Sequence, residues 1–220
     1  MTFSDYAAFL DGLPPKQREE RRPKISSIKG DVELKKIAQV WKLLLLGHEL
    51  SWSQKMHYPD RKTNSVADWK LMPAVGITPQ DATIYAKWLS DSGRIPGARL
   101  CTDREWEKAA RGADGRPFTT GARVPTESAN VDETYGLANQ GPDEVGTHPR
   151  SDSPYGIRDM QGNALEIVVS FRSGSFLGKG GSWFYDAPFS GRLSTSEVLN
   201  PNKSEAYIGL RLCASIAKGE

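Results

Sequence analysis

Cysteine and histidine are the side chains best suited to metal and nucleophilic chemistry, and this 220-residue chain holds two of one and three of the other. Cys101 and Cys213 lie far apart, with no Cys-x-x-Cys spacing, so no thiolate zinc set is on offer. Their separation argues against a disulfide framework, and each reads as a small buried hydrophobe. His48, His57 and His148 are too dispersed to pair as ligands and read as surface or loop residues. Serines are plentiful, yet no Gly-x-Ser-x-Gly elbow precedes a helix, and Arg172-Ser173-Gly174-Ser175 is turn-like. Carboxylate pairs such as Glu105/Glu107 and Asp143/Glu144 are accounted for by helix capping and solvated loops.

What remains is a surface. Residues 184–207 mix aromatics, small hydroxyls, Asn and Arg with little helical or strand periodicity. That composition suits ligand contact, because aromatic rings give area at low entropy cost and Ser, Gly and Asn adapt. The candidate contact residues are Phe184, Tyr185, Asp186, Phe189, Ser190, Ser194, Ser196, Asn200, Asn202 and Tyr207. The competing structural reading is an irregular loop whose aromatics pack inward.

The elements that would position this surface follow from periodicity. Phe3, Tyr6, Ala7, Leu10 and Leu13 recur at helical spacing, with Thr2 or Ser4 as the cap and Pro14-Pro15 as the stop. A polar loop is expected to about Gly30. A second helix is expected from Asp31 to Leu46, where Leu34, Ile37, Ala38, Trp41 and Leu45 share a stripe and Gly47 ends it. Residues 48–73 read as an irregular excursion. Thr78-Pro79-Gln80-Asp81 starts a helix that buries Ala82, Tyr85, Ala86 and Leu89 and closes at Gly93. Thr102-Asp103-Arg104-Glu105 is a capping box for a helix running to Gly112. Beyond Ala113, turn residues dominate, and short strands are expected at Leu165–Ser170, Lys179–Trp183 and Ile208–Cys213. The class is therefore α+β: helices on a small, irregular, loop-rich antiparallel sheet.

Composition excludes several functions. A net charge of +2 gives no electrostatic case for nucleic-acid binding. The basic run Lys16–Lys24 is broken by Glu19 and Glu20 and reads as solvated. The longest apolar run, Leu43 to Leu46, cannot cross a bilayer, and no signal peptide opens the chain. A cytoplasmic location is the expectation.

Five motifs occur in one order: Arg99–Glu107, Ala109–Gly112, Pro154–Glu166, Gly180–Trp183 and Ile208–Leu212. Together they resemble the formylglycine-generating-enzyme (sulfatase-modifying factor) family, which has a C-type lectin-like fold. The resemblance implies one domain over residues 1–220, with 14–72 as a divergent helix and loop insertion. Phe3–Leu10 matches the family's opening helix, and the strand that normally precedes it is not seen here. An open sheet edge filled by strand complementation from another chain, or by self-association, is therefore expected.

Active relatives oxidise a substrate cysteine with copper held by two thiolates between the Gly-Gly-Ser and Gly-x-Arg motifs. Here that interval holds no cysteine, the two positions falling near Pro188 and Leu193. A second branch places iron on a His-x-x-x-His-x-Glu motif, which this chain lacks. Neither copper nor iron is expected. Structural Ca²⁺ is implied at Gly162-Asn163-Ala164-Leu165-Glu166, through Asn163, Glu166 and the carbonyls of Gly162 and Ala164, with a second site at Asn130-Val131. The expectation is a non-catalytic lectin-like module binding an unknown protein or small molecule through 184–207. Two settings fit: a variable protein of a diversity-generating retroelement, or a sensor domain of a signalling protein. The alternative is a metal-dependent oxidase or another enzyme of the superfamily.

Overall fold

The structure, a computed structural model, describes residues 1–28, 30–123, 125–186 and 191–215. Helix α1 (Phe3–Asp11) is capped by Thr2, whose hydroxyl accepts from the Asp5 N–H while the Asp5 carboxylate takes the Thr2 N–H. A short α2 (Pro15–Arg21) and strand β1 (Lys24–Ser27) follow, where a loop was expected. Proline at the first helical position costs α2 no hydrogen bond.

The expected helix over 31–46 is not formed. That segment is a hairpin of β2 (Gly30–Ile37) and β3 (Val40–Leu45), in register from Val32↔Leu45 to Ile37↔Val40. Val32 and Leu34 on one strand and Trp41, Leu43 and Leu45 on the other point inward at period two. The same residues also satisfy a helical stripe, and tertiary burial selects the strand. The turn residues Ala38 and Gln39 both adopt positive φ, +46° and +65°. Leu46-Gly47 is likewise a turn with positive φ at both positions, leading into β4 (His48–Ser51). Hairpin turns of this hand match strand twist. Together β1-β2-β3-β4 form one antiparallel sheet within the segment expected to be helical and irregular. Two further short strands, β5 (Met56–His57) and β6 (Val66–Ala67), pair with each other.

Helix α3 (Pro79–Asp91) begins at its Thr78 cap and lays its apolar face on α1. Tyr6, Phe9, Tyr85 and Trp88 interlock there, with ring centroids 5.3–5.9 Å apart. Strand β7 (Ala98–Leu100) and α4 (Asp103–Arg111) follow. The capping box of α4 is present: Glu105 accepts from the Thr102 N–H at 2.9 Å and also pairs with Arg99 at 2.6 Å. A one-turn α5 (Asp132–Tyr135) interrupts the long loop region.

The second sheet is mixed rather than purely antiparallel. It contains β8 (Leu165–Val169), β9 (Phe176–Lys179), β10 (Glu197–Val198) and β11 (Ile208–Leu210), in the order β10-β9-β8-β11, and β11 runs parallel to β8. The strand expected over Lys179–Trp183 lies earlier, since β9 ends where that span begins. The span Ile208–Cys213 is broken at Arg211: β11 joins β8, whereas β12 (Leu212–Ala214) pairs antiparallel with β7.

That last pairing overturns the reading of the cysteines. Register Leu212↔Leu100 sets Cys213 opposite Arg99 and diagonal to Cys101, and the two cysteines form a disulfide across 112 positions, Cα atoms 4.9 Å apart. Sequence distance carried no information because a late strand returns to an early one. No helix among the described residues is long and apolar enough to cross a membrane.

Candidate functional site: an aromatic-walled cleft

A cleft of about 500 Å³ opens where several parts of the chain meet. The β3–β4 turn supplies Leu46 and His48, the β5–β6 connection supplies Tyr58 and Asp60, and the loop at 137–140 faces Trp183 and Phe184. Its size falls within the ~300–1,000 Å³ typical of small-molecule sites.

One buried network sets the walls. The Arg61 guanidinium lies 3.4 Å from the Tyr58 ring centre and 3.9 Å from that of Tyr135. It donates to Asn139 O at 2.8 Å, Gly141 O at 3.0 Å and Asp143 Oδ1 at 2.7 Å. Both members of the Arg61–Asp143 pair are 0% exposed at their side chains. Asp143 Oδ2 meets Tyr135 Oη at 2.8 Å and His148 Nε2 at 2.7 Å. Burial, then the Asp143 charge, pushes the Tyr135 hydroxyl above its usual range. A buried charge pair with every oxygen engaged is a rigid joint. Here it fixes the loop at 137–140 against Tyr58.

The opposite wall is an aromatic stack. Phe184 lies flat on Tyr207, with centroids 5.2 Å apart and planes at 10°, and Tyr185 stands nearly perpendicular to both. The Tyr185 and Tyr207 hydroxyls are 3.0 Å apart. Beside them, burial and then the Asp186 carboxylate push the Asp132 carboxyl up.

The structure gathers only part of the set read from sequence. Phe184 lines the cleft, and Tyr185 packs against it. Tyr207 is buried and supports the stack from beneath. Asp186 is exposed beside them. Ser194, Ser196, Asn200 and Asn202 are exposed but do not line the cleft: Ser196 leads into β10, and the turn at 200–202 packs beside the start of α3 through Gln80 N–H to Pro201 O. Phe189, Ser190 and Pro188 lie outside the described residues. Sequence reasoning missed Asp31, His48, His57 and Asp60, because they sit in segments read as helix and irregular loop. Alternation in 31–45 was the signal that could have found them.

The Gly162–Glu166 turn is locked by its own hydrogen bonds. Gly162 adopts φ +77°, and a Cβ there would stand 2.5 Å from Asn130 O. Asn163 Oδ1 accepts from the Asp143 N–H at 2.9 Å and from Asn130 Nδ2 at 3.2 Å. Glu166 accepts two bonds from Arg211, at 2.7 and 2.8 Å, and a third from Trp106 Nε1 at 2.6 Å. The side-chain oxygens of Asn163 and Glu166 therefore do not fit a calcium pair in this arrangement. Asn130 Oδ1, beside Val131 in the second candidate turn, is buried and keeps an unpaired oxygen. Ala164 is buried, and its N–H closes the turn onto Gly162 O.

A family model described as the sulfatase-modifying factor enzyme 1-like domain matches residues 2–216. The chain belongs to this family. The formylglycine-generating enzyme of Mycobacterium tuberculosis (strain ATCC 25618 / H37Rv) is 31% identical over 121 residues, covering 51% of this chain and 38% of that enzyme. The match thus spans well under half of the relative's length. Among solved structures, PvdO from Pseudomonas aeruginosa aligns over 98% of this chain and 77% of its own, at TM-score 0.64 and 20% identity. CarF aligns over 74% of each chain at TM-score 0.56 and 21% identity. Treponema denticola variable protein 1 aligns over 85% of this chain and 99% of its own, at TM-score 0.56 and 13% identity. These likenesses establish the fold as α+β of the formylglycine-generating-enzyme type.

Proposed function

We propose that this family member is a binding module whose ligand face is the cleft walled by Phe184, Tyr58 and the loop at 137–140. The observation that carries this reading is the chain's cysteine chemistry. The interval between Trp183 and Ile208 holds no cysteine, and the only two cysteines are joined to each other between β7 and β12. Copper held by two thiolates is the chemistry that the resemblance assigns to active relatives, and soft thiolates are what Cu(I) requires. The chain does have an aromatic wall on a rigid joint, an arrangement suited to recognition.

The finer setting, a retroelement-diversified receptor, draws support from the fold shared with the Treponema variable protein. Most residues of 184–207 accept codons ending in a pyrimidine; Glu197, Lys203 and Glu205 do not. A nearby imperfect DNA copy of this segment, differing only at template adenines, is the expected finding for that setting. Its absence rejects it.

The test of the binding reading combines a Cu(I) titration with turnover. The full chain, with the Cys101–Cys213 bond intact, is titrated with Cu(I) against a competing chelator and offered a cysteine-containing peptide under oxygen. The expected result is no stoichiometric Cu(I) and no oxygen consumption. Tight binding of one Cu(I) with peptide oxidation overturns the reading and restores the oxidase.

A further inference from the structure

Four polar side chains facing the cleft have no partner. Asp31, Asp60, His48 and His57 line it, and among the described residues none makes a side-chain hydrogen bond or ion pair. Elsewhere the chain pairs its carboxylates readily: Asp11 with Lys36, Glu19 and Glu33 with Arg22, Asp81 with Arg21, Glu105 with Arg99. Arg61 stands directly behind the cleft, but its charge is met by Asp143. No lysine or arginine occurs among the described lining residues. Among the described residues, two carboxylates thus share a partly enclosed, aromatic-walled volume with no lysine or arginine in its lining.

Trp183 supplies a second, independent observation. It lines the same cleft at 2% exposure, and its indole N–H is buried with no acceptor. A donor stripped of water and left unpaired carries a desolvation cost that an incoming oxygen relieves. The rim adds two apolar side chains held out in solvent, Ile28 and Leu137.

We propose that the cleft binds a small organic cation, an amine or guanidine, with Asp31 and Asp60 meeting the positive charge and Phe184 lying against its carbon skeleton. This deepens the binding reading and rests on it. A cation over an aromatic face and beside carboxylates is attracted by both. An acceptor oxygen on the same molecule would use the Trp183 N–H.

The experiment is calorimetric titration of the full chain with agmatine, which carries a charge at each end. N,N′-diacetylputrescine serves as a neutral control of similar length. The expected result is saturable agmatine binding and none by the diacetylated compound. Asp31→Asn and Asp60→Asn, both at solvent-accessible positions and so compatible with folding, should each weaken agmatine about two- to fivefold, as for a partly exposed ion pair. Raising salt from 50 to 500 mM should weaken it further. Equal affinity in the Asp31→Asn/Asp60→Asn double variant, or equal binding of the neutral compound, overturns the proposal. An acetylated, amidated arginine tripeptide binding more than tenfold tighter than agmatine, with the same dependence on Asp31, overturns the small-molecule assignment and gives the cleft to a protein side chain. Failure of every cation, alongside Cu(I)-free and turnover-free protein, rejects the cation while leaving the binding module standing.

Discussion

Replacing Asp143 with alanine isolates the joint beneath the cleft. The substitution removes the acceptor of Arg61 Nη1, Tyr135 Oη and His148 Nε2, all within 2.8 Å, and leaves a guanidinium at 0% side-chain exposure with only the carbonyls of Asn139 and Gly141. Stranding one member of a buried pair costs about 3–5 kcal/mol. In a chain of this size each kcal/mol is worth roughly 2–4 °C, so the melting temperature should fall by about 6–20 °C. Arg61→Leu also loses the two carbonyl clamps, leaving Asp143 its Tyr135 and His148 partners. The double variant Arg61→Leu/Asp143→Ala strands no charge, and the leucine at position 61 fills part of the slot between Tyr58 and Tyr135. It should therefore be less destabilised than Asp143→Ala, with a coupling of about 2 kcal/mol or more across the cycle. Urea unfolding followed by tryptophan fluorescence gives all four stabilities. A loss below about 1 kcal/mol for Asp143→Ala, or an additive cycle, refutes the argument that a buried, fully engaged charge pair holds this wall.

Four further outcomes follow from particular contacts. Cys213→Ser should melt well below the parent and become insensitive to reductant, because the cross-link closes a loop of 112 positions worth up to about 5 kcal/mol in the chain-entropy account; two free thiols in the native protein would reject the bond. Arg99 and the Thr102 cap hold the Glu105 carboxyl at about 2, below its unfolded value, so its contribution is complete above the usual carboxylate range and is lost as pH falls towards 2. Glu105→Gln should therefore lose stability at pH 7 and converge with the parent at low pH, and a constant gap in the two melting curves would contradict this. Glu166→Gln should melt lower both in EDTA and in excess Ca²⁺, since its partners are Arg211 and Trp106; a loss confined to Ca²⁺ would instead assign the carboxylate to an ion. Replacing Ala38-Gln39 by Asn-Gly should stabilise the β2–β3 hairpin by about 1 kcal/mol, because both positions adopt positive φ; a lower melting temperature would show that the turn is held by its side chains.

Three helices, α1, α3 and α4, were legible because their signals are local, whereas α2 lay in a stretch read as loop. Thr2, Thr78 and Thr102 cap the helices they announce, and the capping box of Thr102 with Glu105 forms as written. Strands were legible where apolar residues run continuously, as in β8. They were missed in 31–45, where the inward residues satisfy both periods, and the choice lies with the tertiary partner rather than the segment. The same error concealed the cleft, since Asp31 and His48 reach it only once β2, β3 and β4 form a sheet. The aromatic wall was anticipated in Phe184 and Tyr185, while Tyr207 turned inward as its support. The disulfide was beyond sequence reasoning, because nothing near Cys101 indicates that the last strand returns to it.

That returning strand bears on synthesis. β7 has no sheet partner until β12 has been made, and β8 gains its parallel neighbour only with β11. At ~5–20 residues per second, the stretch from Cys101 to Cys213 takes about 6–22 s to emerge. Throughout that interval β7 stays unpaired and Cys101 carries an unbonded thiol, while β8 pairs only with β9. The central layers therefore cannot assemble vectorially on the ribosome. They wait for β11 and β12, and the disulfide records that β12 has arrived.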